Sequence, residues 1–193
     1  MLIFKPPNNA DMRILSMLGC VIVSMAVSAQ PIDSLENVLK TAQGDKKVKT
    51  LNELFRAYMN SDPVKAIGFT REALDLATNI GDQKGMAASY NNMGVAYKNQ
   101  GALDKSLEYY LIALKTYTDL DNKEGIATTK NNIANIYSLK KDYAQAMKYF
   151  EESEGLLTEL GDKRRMVGTM NNLGNLHSDL QLFEQALKYY QDA

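Results

Sequence analysis

The sequence predicts an all-α fold of stacked antiparallel helix pairs. Three observations carry the prediction: only four prolines occur, the chain repeats itself at a spacing of 40 residues, and apolar residues recur within each repeat at helical spacing. Three of the prolines, Pro6, Pro7 and Pro31, precede the first strongly periodic segment, so long stretches are left free of the residue that breaks helices. A hydrophobic content of 45% in 193 residues is enough for a packed core.

Residues 1–29 read as an address and not as part of the fold. Arg13 stands ahead of the charge-free run Ile14 to Ala29, which ends in the small residues Val27-Ser28-Ala29. A basic start, a short apolar core and a small-residue end are the layout of a secretory signal peptide. At sixteen residues the run is shorter than the roughly 20 a membrane-spanning helix needs. Cleavage is expected between Ala29 and Gln30, and Met12 is a second candidate initiator because Met12-Arg13 opens the signal directly. The mature chain is then expected outside the cytoplasm, periplasmic or outward-facing.

Residues 30–44 hold a capping helix, with Leu35, Val38 and Leu39 as its apolar side, and a linker. Residues 45–80 form a degenerate first repeat. Leu51, Leu54 and Tyr58 lie on its first helix and Ala66 and Ala73 on its second, joined at Ser61-Asp62-Pro63 by a turn one residue shorter than the others. Residues 81–120, 121–160 and 161–193 are the three regular units. Their opening pairs, Gly81-Asp82, Asp121-Asn122 and Gly161-Asp162, each supply a residue to end one helix and an Asp or Asn to cap the next.

Within each unit the first helix repeats apolar residues at i, i+4, i+7 and i+11. Met86, Tyr90, Met93 and Tyr97 form one set, and Met166, Met170, Leu173 and His177 another. In the middle unit Lys130 interrupts Ile126, Ile133 and Tyr137; its aliphatic stem can cover the core while the ammonium stays wet. The second helices repeat Leu103, Leu107, Tyr110, then Tyr143, Met147, Phe150, then Phe183, Leu187, Tyr190. Small residues at Gly94, Ala134 and Gly174, and at Ser106, Ala146 and Ala186, allow close helix approach.

A small residue, Tyr or His three on, Ala or Ser nine after that, an aromatic four further and another small residue three later: this spacing resembles the tetratricopeptide repeat over residues 45–193. The forty-residue unit resembles the extended variety with longer helices. The proline common near the end of shorter repeats is missing, and the helix continues through Thr118 or Leu157 instead. The resemblance implies a right-handed superhelical solenoid, a concave face lined by the first helices, and a protein or peptide as ligand. It also implies kinship with the exported sensory regions of bacterial signalling proteins. A free-standing periplasmic or surface adaptor and a cytoplasmic peptide receptor are the alternatives.

Asparagine is a mediocre helix former, yet pairs recur in helix interiors at Asn91-Asn92, Asn131-Asn132 and Asn171-Asn172, with Asn135 and Asn175 three residues beyond the latter two. Asn92, Asn132, Asn135, Asn172 and Asn175 are therefore candidates for a peptide-binding groove, because a carboxamide both donates to and accepts from a peptide backbone. The competing role is a staple to the neighbouring repeat. For Asn92, Asn132 and Asn172 the two readings stand level.

Other functions find little support in the inventory. One cysteine and one histidine exclude a zinc site built from several such ligands, and no Gly-rich phosphate loop or nucleophile motif occurs. No catalytic residue, metal or cofactor is assigned. His177 takes the place of Tyr97 and Tyr137 and reads as a packing residue. With 22 basic against 23 acidic residues and no dense basic patch, nucleic acid is not an expected partner. Membrane association is expected only through an uncleaved signal or a segment beyond residue 193. Phe183 to Ala193 supplies eleven residues of a second helix and no polar capping helix, so either the native protein is longer or this end frays.

Overall fold

The computed structural model describes residues 32–193, and every one of its elements is an α-helix. They are α1 (residues 32–39), α2 Gly44–Tyr58, α3 Pro63–Ile80, α4 Gln83–Asn99, α5 Leu103–Asp119, α6 Lys123–Leu139, α7 Tyr143–Leu160, α8 Lys163–Asp179 and α9 Phe183–Asp192. The signal peptide expected at residues 1–29 and the cleavage expected between Ala29 and Gln30 lie outside the described residues.

Each helix starts and stops for a local chemical reason. Asp62, Asp82, Asn122, Asp142 and Asp162 accept a hydrogen bond from the backbone N–H three residues on, which satisfies an amide that has no partner inside the helix. α5 and α9 start instead at Ala102 and Leu182, which offer no side-chain acceptor. From α3 to α8 the opposite ends close through a left-handed residue, whereas α2 ends at Met59 in the right-handed region. Gly81, Gly101 and Gly161 take the left-handed conformation, as do Asp121, Lys141 and Gln181 at φ of 49°, 62° and 60°. At each turn the next amide donates back across the helix end, for example Ala102 N to Tyr97 O at 3.0 Å and Asp142 N to Tyr137 O at 2.9 Å.

Consecutive helices pack as antiparallel pairs, and the pairs stack. Each first helix also meets the first helix before it, α2 with α4, α4 with α6 and α6 with α8, whereas no such contact joins the second helices. The first helices therefore crowd the inside of the curve and the second helices spread around the outside. The architecture is an all-α, tetratricopeptide-like solenoid.

The packing rule is complementary size. Gly94 lies under the ring of Tyr110 and Gly174 under that of Tyr190, so close that an added Cβ would stand 2.5 Å from ring atoms; Ala134 instead packs with Phe150. The deepest stripe of α4 is not the large set Met86, Tyr90, Met93, Tyr97. It is Gly85, Ser89, Asn92 and Ala96 beside Met93, while Met86, Tyr90 and Tyr97 are half-buried. The reason is that a first helix is covered on two sides, by its own second helix and by the preceding repeat. The side facing the earlier first helix comes close enough to need small or hydrogen-bonded residues. The half-buried Lys130 pairs its ammonium with Glu152, Nζ to Oε2 at 2.5 Å, tying α6 to α7.

At the N-terminal end α1 seats Leu39 on the cluster of Val48, Leu51, Ala73 and Ala77. Glu36 joins Lys65 at 2.7 Å and accepts from the Tyr58 hydroxyl at 2.6 Å. The degenerate repeat is closed off by this small polar knot.

Candidate groove and asparagine ladder

The asparagines of successive first helices are linked in a defined order. Asn172 Nδ2 donates to Asn131 Oδ1 at 3.1 Å, and Asn132 Nδ2 to Asn91 Oδ1 at 3.1 Å. Asn92 Nδ2 donates to Asn52 Oδ1 at 2.8 Å and to the Asn52 carbonyl at 3.3 Å. The second asparagine of each repeat thus reaches back to the first asparagine of the repeat before. Asn52 is the ladder's N-terminal member, and it holds further bonds with Ser89 and Thr70 in a buried polar cluster. Buried amides that are mutually satisfied fix the stagger between helices, because a slip would strand them without partners.

The groove candidates therefore separate into two groups. Asn92 is buried and donates twice to Asn52, while Asn132 and Asn172 are half-buried and each donates one amide hydrogen to the repeat before, so all three act as inter-repeat ties. Asn135 is half-buried and Asn175 exposed on the open inner side. Asn135 Nδ2 donates to the Asn131 carbonyl of its own helix at 3.0 Å, and Asn175 Oδ1 accepts from the Tyr190 hydroxyl at 2.6 Å. Each keeps one half of its carboxamide without a hydrogen bond among the described residues.

Helical register puts other side chains beside these two. Ala88, Asn91 and Val95 on α4, Thr128 and Asn131 on α6, and Gly168 and Asn171 on α8 occupy matching positions. On α2 the matching places hold Lys49 and Arg56, both exposed, and Lys98 stands near the end of α4. The inner face thus runs from cationic at the first repeat to neutral and carboxamide-rich at the last.

Tyrosines form a second repeating feature, between the end of each first helix and the middle of the second. Tyr97 stacks on Tyr109 with centroids 5.2 Å apart, Tyr137 on Tyr149 at 5.7 Å, and His177 lies against Tyr189 at 5.0 Å. His177 is 9% exposed and its Nδ1 sits 2.8 Å from the Leu173 carbonyl, the geometry of a packing residue. Burial pushes the Tyr110 phenol well above its usual range and that of Tyr117 up to about 12, so both stay neutral at physiological pH.

These features define a repeat scaffold with an inner amide-bearing face. A tetratricopeptide-repeat profile matches residues 85–159 and again 125–193, together more than half of the chain. The protein belongs to the tetratricopeptide-repeat family. Among curated proteins no sequence matches it.

Several solved structures share the fold. BtubC (BKLC) from P. vanneervenii is 24% identical with a TM-score of 0.65, covering 87% of this chain and 72% of that one. A Rap protein complexed with Competence and Sporulation Factor is 17% identical with a TM-score of 0.77; the match takes in 90% of this chain and 50% of that one. Kinesin light chain-type repeats from Podosopora anserina are 14% identical with a TM-score of 0.58, over 96% and 94% of the two chains.

Proposed function

We propose that this chain is a non-enzymatic scaffold that holds a peptide, or an extended segment of another protein, along the inner face of α2, α4, α6 and α8. The observation that carries the reading is the row of carboxamide groups that the ladder leaves on that face: Asn135 on α6, Asn171 and Asn175 on α8, and the amide nitrogen of Asn131, whose oxygen is held by Asn172. An extended backbone presents a donor and an acceptor at every residue, and a repeated carboxamide can meet both. The structure of a Rap protein with Competence and Sporulation Factor is a precedent for this fold in complex with a factor. In this reading the Asn52–Asn92, Asn91–Asn132 and Asn131–Asn172 links hold the groove in shape, and Asn135 and Asn175 touch the ligand.

The finer reading is that the scaffold works outside the cytoplasm, delivered by residues 1–29, as the sensory part of a signalling protein or as a free adaptor. Its support is the charge-free run behind Arg13. N-terminal sequencing of the exported protein should begin at Gln30. A soluble cytoplasmic product that keeps residues 12–29 would overturn this part without touching the groove.

The groove is tested by selecting binders from a random-peptide library and measuring them against Asn135→Ala/Asn175→Ala. Each lost hydrogen bond costs about 0.5–1.5 kcal/mol, so the pair should weaken binding by roughly one to two orders of magnitude. Helix content should hold, because Asn135 bonds only its own helix and the Tyr190 hydroxyl, on a 42% exposed residue, can turn to water. Unchanged affinity would refute the assignment.

A further inference from the structure

The asparagine ladder fixes which residues of successive first helices stand level. Asn52, Asn91 and Asn131 play the same accepting part in it, so the residues four places on, Arg56, Val95 and Asn135, occupy one row across the inner face, and Asn175 continues it. From the first repeat to the last, that row is a cation, an apolar residue and two carboxamides. Three places before the same asparagines, Lys49 stands level with Ala88, Thr128 and Gly168. Both rows therefore carry charge on α2 alone.

Arg56 is held ready for an anion. It is exposed, its Nε donates to the Asn52 carbonyl at 3.2 Å, and its two terminal nitrogens make no hydrogen bond among the described residues. The guanidinium is anchored at one edge with its fork open, the geometry that takes a carboxylate through two parallel bonds. Neither Arg56 nor the exposed Lys49 forms an ion pair among the described residues. Glu53 lies between them on α2 but takes the position from which Asn92, Asn132 and Asn172 reach back to the preceding repeat, away from the row. A cation in the last turn of α2 also suits the negative end of that helix, yet Lys49 is mid-helix and has no such use. Residues 1–31 do not supply the missing anion, since they hold Lys5 and Arg13 against Asp11.

We propose that the ligand of the groove is an acidic peptide held in one register, an inference that rests on the peptide-groove reading above. An Asp or Glu side chain sits on Arg56 with Lys49 beside it, an apolar side chain lies on the half-buried Val95, and the peptide backbone meets Asn135 and Asn175. Packed helices lie about 8–10 Å apart and an extended chain advances about 3.3 Å per residue, so each step along the row takes about three residues. The apolar residue therefore falls about three places from the acid, and the stretch held by Asn135 about six.

The test selects binders of the intact protein from a synthetic random library of C-terminally amidated peptides. The selected sequences should share an Asp or Glu with an apolar residue about three places away. Replacing that acid by its amide should weaken binding about 5- to 20-fold, and Arg56→Gln in the protein should do the same, with no further loss when the two are combined. Arg56→Glu should invert the preference, so that the peptide with Lys in place of its acid binds better than the original. Arg56 is exposed and the Asn52 carbonyl keeps its bond from Asn92, so circular dichroism should be unchanged. If Asn135→Ala/Asn175→Ala weakens binding while Arg56→Gln leaves it unchanged, the groove stands and the acidic register is overturned. If neither variant has an effect, the groove reading falls and takes the register with it. The proposal is also overturned if scrambled peptides of equal charge bind as well, or if only peptides with a free C-terminal carboxylate bind, since a chain end is then the anion.

Discussion

Replacing Tyr110 by Phe should stabilise the protein. The Tyr110 hydroxyl is fully buried and makes no hydrogen bond of good geometry; the Ser106 hydroxyl one turn earlier gives its own proton to the Gly94 carbonyl at 2.7 Å. The cause can be read in the last repeat, where Tyr190 occupies the same position and its hydroxyl is taken by Asn175; in the second repeat that acceptor position holds Val95. In the third repeat Phe150 replaces the tyrosine and Asn135 turns back onto its own helix. An orphaned buried polar group costs about 1–3 kcal/mol, and deleting one oxygen leaves a small void that recovers part of that cost. A net gain of about 1 kcal/mol is expected, or about 2–4 °C in Tm for a protein of this size. Val95→Asn should supply the missing acceptor. In that background Tyr110→Phe should reverse sign and destabilise by about 1 kcal/mol, an interaction energy of about 2 kcal/mol in a double-mutant cycle read by urea denaturation. A loss of more than about 1 kcal/mol from Tyr110→Phe in the unmodified protein would mean the hydroxyl has a partner and refute the reasoning.

Two glycine substitutions should move in opposite directions. Gly94→Ala drives a Cβ into the Tyr110 ring and should cost about 1 kcal/mol or more despite alanine's better helix propensity, whereas Gly155→Ala, with open space around it, should gain about 0.5–1 kcal/mol by thermal unfolding. Lys141→Gly relieves a left-handed residue at φ 62° and should raise stability by about 0.5–1 kcal/mol, and equal or lower stability would contradict it. Alkaline stability should fall above about pH 10, where tyrosines of the unfolded chain ionise first, while Tyr117 holds its proton to about 12. The unfolded state then binds fewer protons, so stability declines as pH rises, and Tyr117→Phe should flatten that decline.

The repeat architecture was legible because it is written locally. Gly81-Asp82 and Gly161-Asp162 do in space what their chemistry implies, one ending a helix in the left-handed region and the other capping the next. The fine division of the asparagines was not legible. Neighbours along one helix share a face at three or four residues, but the bonds that matter join Asn132 to Asn91 and Asn172 to Asn131, a separation of 41 set by how successive repeats stagger. Asn52 escaped notice because the shorter turn at Ser61-Asp62-Pro63 shifts the first repeat out of the forty-residue register. A comparison at 39 residues would have aligned it with Asn91. The core stripe was offset for a related reason: size marks where side chains are large, while the closest helix approach selects small residues such as Gly85 and Ala96. Size complementarity, by contrast, stood in the sequence as Gly94 with Tyr110, Ala134 with Phe150 and Gly174 with Tyr190.

The inner face as a peptide groove is tested most directly by NMR of the side-chain amides, with a library-selected peptide added to the isotope-labelled protein. The account predicts that the Asn135 and Asn175 carboxamide signals shift and gain protection on binding, with those of Asn131 and Asn171 beside them. The Asn92 amide, locked onto Asn52, should stay nearly fixed. Perturbations confined to α3, α5 and α7 on the outer side, with the Asn135 and Asn175 signals unmoved, would contradict it.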